Sequence, residues 1–283
     1  MADRRPALGG RPAQVPQAPD FTIFQAADGT WQLVSCVRGT THPGGGRLLY
    51  RWEAKRLTDA DWTPKGVFRT SDTALGHKEG VVQAPHCVKV GGKYYLFYNS
   101  AGAAYCLVSD DGEEFRDHKA ADGALRFFPM ARDVMLFDNR PRDGMWYAYY
   151  TDIRPGRYAD RKNHTVSFRT AKDLAGPWSA EATDVGVVSP TPADAYTFVY
   201  AESPFVVFRG GWYYRFEQMN VLASRRPAEW PAKIVTTLTA GDPRAYLSPE
   251  IIADGADEYI AGYRYKRGEG GIYLCRLKWR PNP

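Results

Sequence analysis

The sequence predicts an all-β protein, a five-bladed β-propeller with about four antiparallel strands per blade. Five hairpin-like segments recur along the chain, and no stretch of convincing length shows the 3.6-residue period of a helix. The 283 residues divide into five units of about 57 residues. Radial repetition of four-stranded sheets suits this period, because it leaves only short and protected sheet edges.

Each hairpin-like segment has an apolar strand, a glycine-containing turn and a second strand rich in Trp and Tyr, which is the pattern of a β-hairpin. The five segments are DFTIFQAADGTWQLVSC (20–36), APHCVKVGGKYYLFYNS (84–100), RDVMLFDNRPRDGMWYAYYT (132–151), ESPFVVFRGGWYYRFEQ (202–218) and SPEIIADGADEYIAGYR (248–264). Their DG and GG turns supply the positive φ angles that tight reversals need.

A further strand is expected outside each hairpin. These outer strands are predicted in WEAKRLTDADW (52–62), AYCLVSDDGEEF (104–115), VSFRTAKDLAGPW (166–178), VLASRRPAEW (221–230) and GGIYLCRLKW (270–279). A two-sheet sandwich is the alternative architecture, although its strands would not require this nested repeat.

Charge and terminal composition bound the class of protein. The net charge is +5, but the 37 basic residues are scattered, which favours solvated surface charge over nucleic-acid binding. Residues 1–19, rich in Pro, Ala, Gly and Arg, are predicted to form a flexible arm, followed by one propeller domain over 20–283. The arm has no apolar segment typical of a signal peptide, so a cytoplasmic location is expected for the chain as given.

The cysteines and apolar runs exclude other classes. Cys36, Cys87, Cys106 and Cys275 lie in apolar stretches without metal-ligand spacing, so buried free thiols are predicted. No apolar run approaches the roughly 20 residues of a membrane span. The chain also lacks G-x-S-x-G, H-E-x-x-H, P-loop and dinucleotide motifs. SDDGEEF (109–115) is reminiscent of a sialidase turn motif, and we expect only a turn there.

Acidic residues recur where the first strand of a blade begins. In a propeller these first strands line the central channel and begin at the same end, so their first residues converge on one pocket. The five positions are expected to hold Asp20, His86, Asp133, Glu202 and Glu250. Repulsion between neighbouring carboxylates pushes their pKa values apart, which suits a division into acid and base.

Three short motifs carry a family resemblance. PDFTIF, ARDVMLF and AESPFVV follow one another in the first, third and fourth blades. Together with AKDLAGPW and the 84–100 hairpin, they make the chain resemble glycoside hydrolase family 43, within the family 32, 43, 68 and 117 group of five-bladed propellers. The resemblance covers roughly residues 20–280. It implies that Asp20 is the general base, that Glu202 is the general acid, and that Asp133 tunes the acid's pKa and orients the substrate.

The chain departs from the family pattern at three positions. Phe21 and Val134 stand where the family usually has proline, and neither change removes a carboxylate. Ser248 stands where many relatives have a histidine that helps to hold a central calcium or its water. The sequence therefore predicts no cofactor, and the fifth blade does not support a calcium site.

Inverting hydrolysis of a glycosidic bond needs a protonated carboxyl and an ionised carboxylate roughly 6.5 to 9.5 Å apart. We expect Pro204, Phe205 and the charge of Asp133 to keep Glu202 protonated, while Asp20 stays ionised in a wetter position. In the related family 32 the first-blade Asp is a nucleophile and the reaction is retaining. The sequence therefore leaves the stereochemistry open.

Further side chains are candidates for binding substrate. The second strands end at the same face as the acids, which brings four polar residues there: Asn99, Asp152, Gln218 and Arg264. His86 and Glu250 are candidates from the first strands. The alternative is that these residues cap strands or form buried hydrogen bonds. Most Trp and Tyr are expected to pack between blades, with Trp31 and Tyr200 as candidates to stack on a sugar ring.

Two classes of function follow. The first is an exo-acting, inverting glycosidase that removes a terminal arabinofuranosyl or xylosyl group from a carbohydrate or a glycosylated small molecule. The second is a propeller recruited to another role, either a carbohydrate-binding module without hydrolysis or a biosynthetic enzyme acting on a non-sugar or glycosylated small molecule. Neither the sugar nor the oligomeric state is encoded in these motifs, since pocket loops set specificity.

Overall fold

The computed structural model describes residues 19–43, 45–155, 165–185, 202–217, 220–231, 234–238, 246–264 and 271–280. In this part of the chain, twenty β-strands form five separate antiparallel sheets, one for each predicted hairpin. Helical structure in the same residues is limited to a 3₁₀ turn, Thr73–Leu75, and a short helix α1, Arg140–Asp143. The predicted five-bladed β-propeller is confirmed.

Each blade follows the chain from the inside outwards. Blade 1 consists of β1 (Phe21–Gln25), β2 (Trp31–Arg38), β3 (Arg47–Ala54) and β4 (Thr63–Arg69). Blade 2 consists of β5 (Gln83–Val90), β6 (Lys93–Ser100), β7 (Ala103–Ser109) and β8 (Arg116–His118), and the short β9 (Phe128–Pro129) also pairs with β7.

The remaining blades repeat this order. Blade 3 consists of β10 (Ala131–Asp138), β11 (Trp146–Asp152), β12 (Thr165–Ala171) and β13 (Thr183–Asp184). Blade 4 consists of β14 (Pro204–Arg209), β15 (Trp212–Glu217), β16 (Asn220–Ser224) and β17 (Ile234–Thr237). Blade 5 has three strands among the described residues: β18 (Tyr246–Asp254), β19 (Asp257–Arg264) and β20 (Gly271–Leu277).

The innermost strands close a ring. Strands β1, β5, β10, β14 and β18 contact one another in that order, and β18 contacts β1. The hairpins of blades 2, 4 and 5 reverse through two residues, as at Gly91 and Gly92, whose φ angles are 56° and 83°. These conformations favour glycine because it has no Cβ.

The hydrophobic core lies between blades. Val34 packs in a cluster with Leu96 across blades 1 and 2, and Phe97 shares a cluster with Leu136 across blades 2 and 3. Strands in the middle of a blade are covered on both faces, so every residue of β7 and β11 is buried. This explains why those segments are continuous apolar or aromatic runs rather than alternating ones.

The prediction of free thiols is confirmed at all four cysteines, and the predicted burial is right for Cys36 and Cys106 and wrong for Cys275. All four thiols are free; Cys36 and Cys106 are buried, Cys87 is half-buried, and Cys275 is exposed. Cys275 lies on β20, the outermost described strand of blade 5, where most side chains are not buried. Among the described residues, no helix is long and apolar enough to span a bilayer.

Candidate active site

The first residues of the five innermost strands enclose one pocket. It is lined by residues 20–21, 84–86, 133–135, 203–205 and 248–250, and its cavity volume is about 50 Å³. Every blade therefore contributes to it, as the propeller geometry predicts.

Four blades enter the pocket through a residue in the left-handed region of φ. These residues are Ala84, Asp133, Ser203 and Ser248, with φ between 51° and 54°. A non-glycine residue in this conformation costs on the order of 1 kcal/mol or more and is enriched at functional sites. The strand pairing shifts register beside three of them, in β5, β10 and β18. Such bulges re-aim the side chains that follow.

Aligning the blades on the left-handed residue corrects the predicted equivalence. Asp133 occupies that position itself, Glu202 lies one residue before it, and His86 and Glu250 lie two residues after it. The expectation that these acids hold equivalent positions is therefore wrong. His86 and Glu250 lie further along their strands, by roughly 7 Å at the rise of a β-strand.

Asp20 is held by two neighbours. Its Oδ2 accepts a hydrogen bond from Arg38 Nη2 at 3.0 Å, and its Oδ1 accepts one from Ser248 Oγ at 3.1 Å. Burial raises the pKa of Asp20 above its ordinary value of 3.8; Arg38 opposes this shift, and the charge of Asp133 adds to it. The Asp20 side chain is 14% exposed and that of Glu202 is 25% exposed, so the prediction of a wetter Asp20 is wrong.

Arg132 bridges the other two acids. Its Nε lies 3.1 Å from Asp133 Oδ2, and its Nη2 contacts Glu202 Oε1. Pro204 and Phe205, the apolar residues expected near Glu202, are buried. The expected repulsion between Asp133 and Glu202 is nevertheless reduced, because a guanidinium lies between them.

Two residues of the second strands hold the left-handed backbone in place. Asn99 Oδ1 accepts the amide hydrogen of Asp133 at 2.9 Å, and Thr151 Oγ1 accepts that of Ser203 at 3.2 Å. Asn99 is 2% exposed, and its Nδ2 donates to the carbonyls of Ala103 and Ala131. The described contacts of Asn99 are therefore to the backbone behind the pocket.

Glu250 and His86 form a deeper layer. Glu250 Oε1 accepts from Thr22 Oγ1 and its Oε2 accepts from the amide of Ile23, both at 2.8 Å. The amide of Cys87 donates to Thr22 Oγ1 at 3.1 Å, so this group joins blades 5, 1 and 2. Burial raises the pKa of Glu250 to about 8, although both hydrogen bonds oppose the shift.

The His86 ring is buried beside this carboxyl. Its Nδ1 lies 3.9 Å from Glu250 Oε1, and the ring packs edge-on against Phe205. Burial lowers the pKa of His86 to about 4. Both groups are therefore neutral at pH 7, and His86 lines the pocket as an uncharged ring.

The other candidates lie elsewhere. Asp152 is fully buried and accepts hydrogen bonds from Arg154 and Ser167. Arg264 is half-buried, is absent from the pocket lining, and lies over the ring of Tyr273. Trp31 is 4% exposed and packs in the core between blades 5 and 1. Gln218 and Tyr200 lie outside the described residues.

Sequence reasoning missed three residues that contact the acids. Arg38 ends the second strand of blade 1, so the rule that selected Asn99 would have found it if extended to that blade. Arg132 immediately precedes Asp133 in the quoted ARDVMLF motif. Thr151 ends the third hairpin, and only its contact with Asp133 distinguishes it from other buried threonines.

Within the described part of the chain, no three His, Cys, Asp or Glu side chains are grouped closely enough to hold a metal ion. Ser248, at the position discussed for calcium, donates its hydroxyl to Asp20. That the protein uses no cofactor stays a prediction.

The five-bladed propeller is similar in fold to solved structures of family-43 glycoside hydrolases and related enzymes. A thermostable family-43 glycoside hydrolase is 16% identical, with 98% of this chain and 93% of that chain covered and a TM-score of 0.63. An α-L-arabinofuranosidase from Lactobacillus brevis is 16% identical, with 96% and 94% covered and a TM-score of 0.65.

An endo-arabinase from Bacteroides thetaiotaomicron is similar over the same span. It is 12% identical, with 96% of this chain and 98% of that chain covered and a TM-score of 0.67. No family model matches the sequence, and no curated protein matches it. The similarity is therefore one of fold, found by comparing structures, and the sequence identity is low.

Proposed function

We propose that the protein is a glycoside hydrolase that removes a terminal arabinofuranosyl or xylosyl group with inversion. Asp20 is the general base, Glu202 the general acid, and Asp133 sets the proton affinity of the acid. The observation that carries this proposal is the proximity of these carboxylates from blades 1, 3 and 4: Asp20 and Asp133 line one pocket, and Arg132 links Asp133 to Glu202 at its edge, next to the pocket residue Ser203.

The shape of the pocket supports cleavage at the end of a chain. Its walls come from all five blades, and its volume is about 50 Å³. A small pocket ringed by five blades admits a terminal group more readily than the middle of a polymer. The similar structures include an arabinofuranosidase, a β-xylosidase and an exo-1,5-α-L-arabinanase, which supports the choice of sugars.

The proposed reaction accounts for each proton. Water attacks the anomeric carbon and gives one proton to ionised Asp20, while the glycosidic C–O bond breaks and its oxygen takes a proton from Glu202. Glu202 therefore begins the cycle protonated, and protonation weakens its pairing with Arg132. Asp20 begins ionised, so its raised pKa places the acid limb of activity above the ordinary range of an aspartate.

A panel of 4-nitrophenyl glycosides tests this function. We expect release of nitrophenol from the α-L-arabinofuranoside or the β-D-xyloside. On the phenyl glycoside of the same sugar, whose leaving oxygen needs a proton, Glu202→Gln should lose roughly 10²- to 10⁴-fold in kcat. Proton NMR of the first sugar anomer released distinguishes inversion from retention.

Two outcomes would overturn the proposal. If wild type binds arabinose or xylose oligosaccharides by calorimetry but cleaves no glycoside, the chain is a carbohydrate-binding module. If Glu202→Gln retains wild-type turnover on every cleaved glycoside, another group supplies the proton.

A further inference from the structure

We propose that Thr151 is a positioning residue that couples Asp133 to the backbone carrying Glu202. This inference rests on the proposed function. It assigns to a buried hydroxyl the task of fixing the relative positions of the acid and the carboxylate that modulates it.

The hydroxyl of Thr151 makes two hydrogen bonds with fixed directions. It donates to Asp133 Oδ2 at 2.9 Å and accepts the amide hydrogen of Ser203 at 3.2 Å. A carboxylate oxygen only accepts and an amide only donates, so the single hydroxyl proton is committed to Asp133. Ser203 directly follows Glu202, which places the acid one residue from this bond.

The position of Thr151 in the sheet places its hydroxyl within reach of both Asp133 and Ser203. It is fully buried on β11 and lies opposite Arg132 in the strand pairing. Blade 2 uses Asn99 similarly, to accept the amide hydrogen of Asp133. Of these two residues, Thr151 is the one that also donates to a pocket carboxylate.

The backbone that Thr151 holds is strained. Asp133 and Ser203 have φ angles of 54° and 53°. A left-handed residue persists only when its surroundings over-determine it, and the bond to Thr151 is one such constraint on Ser203. Without that bond, the Ser203 amide loses a buried partner and Glu202 gains freedom to move.

A second link makes the arrangement a closed loop. Arg132 joins Asp133 Oδ2 to Glu202 through their side chains, while Thr151 joins the same Asp133 oxygen to the backbone after Glu202. Glu202 is thus restrained at two points: Arg132 contacts its carboxylate, and Thr151 holds the amide of the following residue. Restraint of this kind matters because a misplacement of about 1 Å costs roughly 100-fold in rate.

Thr151→Val removes the hydroxyl but keeps the shape, and Thr151→Ser restores the hydroxyl. Thr40→Val is the matched control: Thr40 is buried, its hydroxyl donates to Gly45 O at 2.9 Å, and it accepts the amide hydrogen of His42 at 3.1 Å. Thr40→Val therefore removes one donated and one accepted hydrogen bond, both to backbone groups and neither to an acid.

The first measurement is kcat on phenyl and 2,4-dinitrophenyl glycosides of the sugar that wild type cleaves. We expect Thr151→Val to lower kcat on the phenyl glycoside by roughly 10- to 100-fold, with KM changed less. The dinitrophenyl group leaves without a proton, so its kcat should fall by less than about threefold. Thr151→Ser should recover most of the loss.

The second measurement is hydrogen exchange of the Ser203 amide by NMR, which requires no turnover. We expect exchange to accelerate by about tenfold or more in Thr151→Val and to remain slow in Thr151→Ser. Thr40→Val should accelerate the amide of His42 and leave that of Ser203 unchanged.

The outcomes separate the two proposals. Equal losses on both glycosides, or an equal loss in Thr40→Val, would overturn the positioning role and leave a general effect on stability. Unchanged Ser203 exchange in Thr151→Val would also overturn it. If wild type cleaves no glycoside, the proposed function fails, while the exchange data still decide whether Thr151 holds Ser203.

Discussion

Asp20 and Glu250 are pocket carboxyls on adjacent blades, and their surroundings differ in charge. Burial raises the pKa of both, but Asp20 faces the guanidinium of Arg38, whereas the described hydrogen bonds of Glu250 come from a hydroxyl and an amide. A cation stabilises the ionised form far more than a neutral donor does. Neighbours, rather than position on a strand, therefore decide which carboxyl is available for chemistry.

The two carboxyls also belong to one repeated contact between blades 5 and 1. Ser248 donates to Asp20, and two residues later Glu250 accepts from Thr22, which lies two residues after Asp20. The contact between Ser248 and Asp20 supports a charged group at the pocket. The contact between Glu250 and Thr22 joins blades 5 and 1 through a neutral carboxyl. Proposed catalytic and structural roles thus alternate along the same pair of strands.

The largest expected effect separates these roles directly. Asp20→Asn should lower kcat by roughly 10²- to 10⁴-fold, because the amide cannot accept the proton of the attacking water. Glu250→Gln should lower kcat by less than about tenfold, because the amide resembles the neutral carboxyl. Steady-state kinetics on the cleaved nitrophenyl glycoside measure both. A loss in Glu250→Gln as large as that in Asp20→Asn would show that Glu250 participates in the reaction.

The next effect is on stability. The pKa of Glu250 is about 8 in the folded protein, against an ordinary value of 4.5. Between these pH values the folded state holds a proton that the unfolded state has lost. The free energy of unfolding therefore falls as pH rises. His86, with a pKa of about 4 against 6.5, has the opposite slope below pH 6.5. The two cancel there, and the fall due to Glu250 emerges between pH 6.5 and 8, about 2 kcal/mol in all.

Urea unfolding at pH 6.5 and pH 8 measures this difference. Glu250→Gln cannot titrate, so its stability should lose less over the same interval, although it is less stable at pH 6.5 because one hydrogen bond is lost. An equal pH slope in wild type and Glu250→Gln would place the responsible proton elsewhere.

The ring and its hairpins were predictable because they depend on local pattern. Turn glycines such as Gly91 and the runs of aromatic residues mark each hairpin independently of the others. The convergence of the strand starts then follows from the fold alone. The depth of each side chain does not, because a left-handed residue such as Ser203 changes which neighbours face the pocket.

The partners of the acids were the less predictable part of the site. Arg38 and Asp20 are brought together by a strand pairing, whereas Arg132 and Glu202 come from different blades, 70 residues apart. Such pairs depend on side-chain direction and on the packing of one blade against the next. The sequence shows the charges, but only the assembled ring shows which of them meet.

The smallest expected effect tests the cation beside Asp20. Arg38→Met should raise the pKa of Asp20 further, because the guanidinium that opposes burial is gone, and so move the acid limb of kcat/KM to higher pH by about one unit or less. Arg38→Lys should give a smaller shift, since the charge remains. Arg69→Met is the control, because Arg69 pairs with Asp117 away from the acids. An acid limb that stays in place, or moves to lower pH, in Arg38→Met would mean that Arg38 does not keep Asp20 ionised.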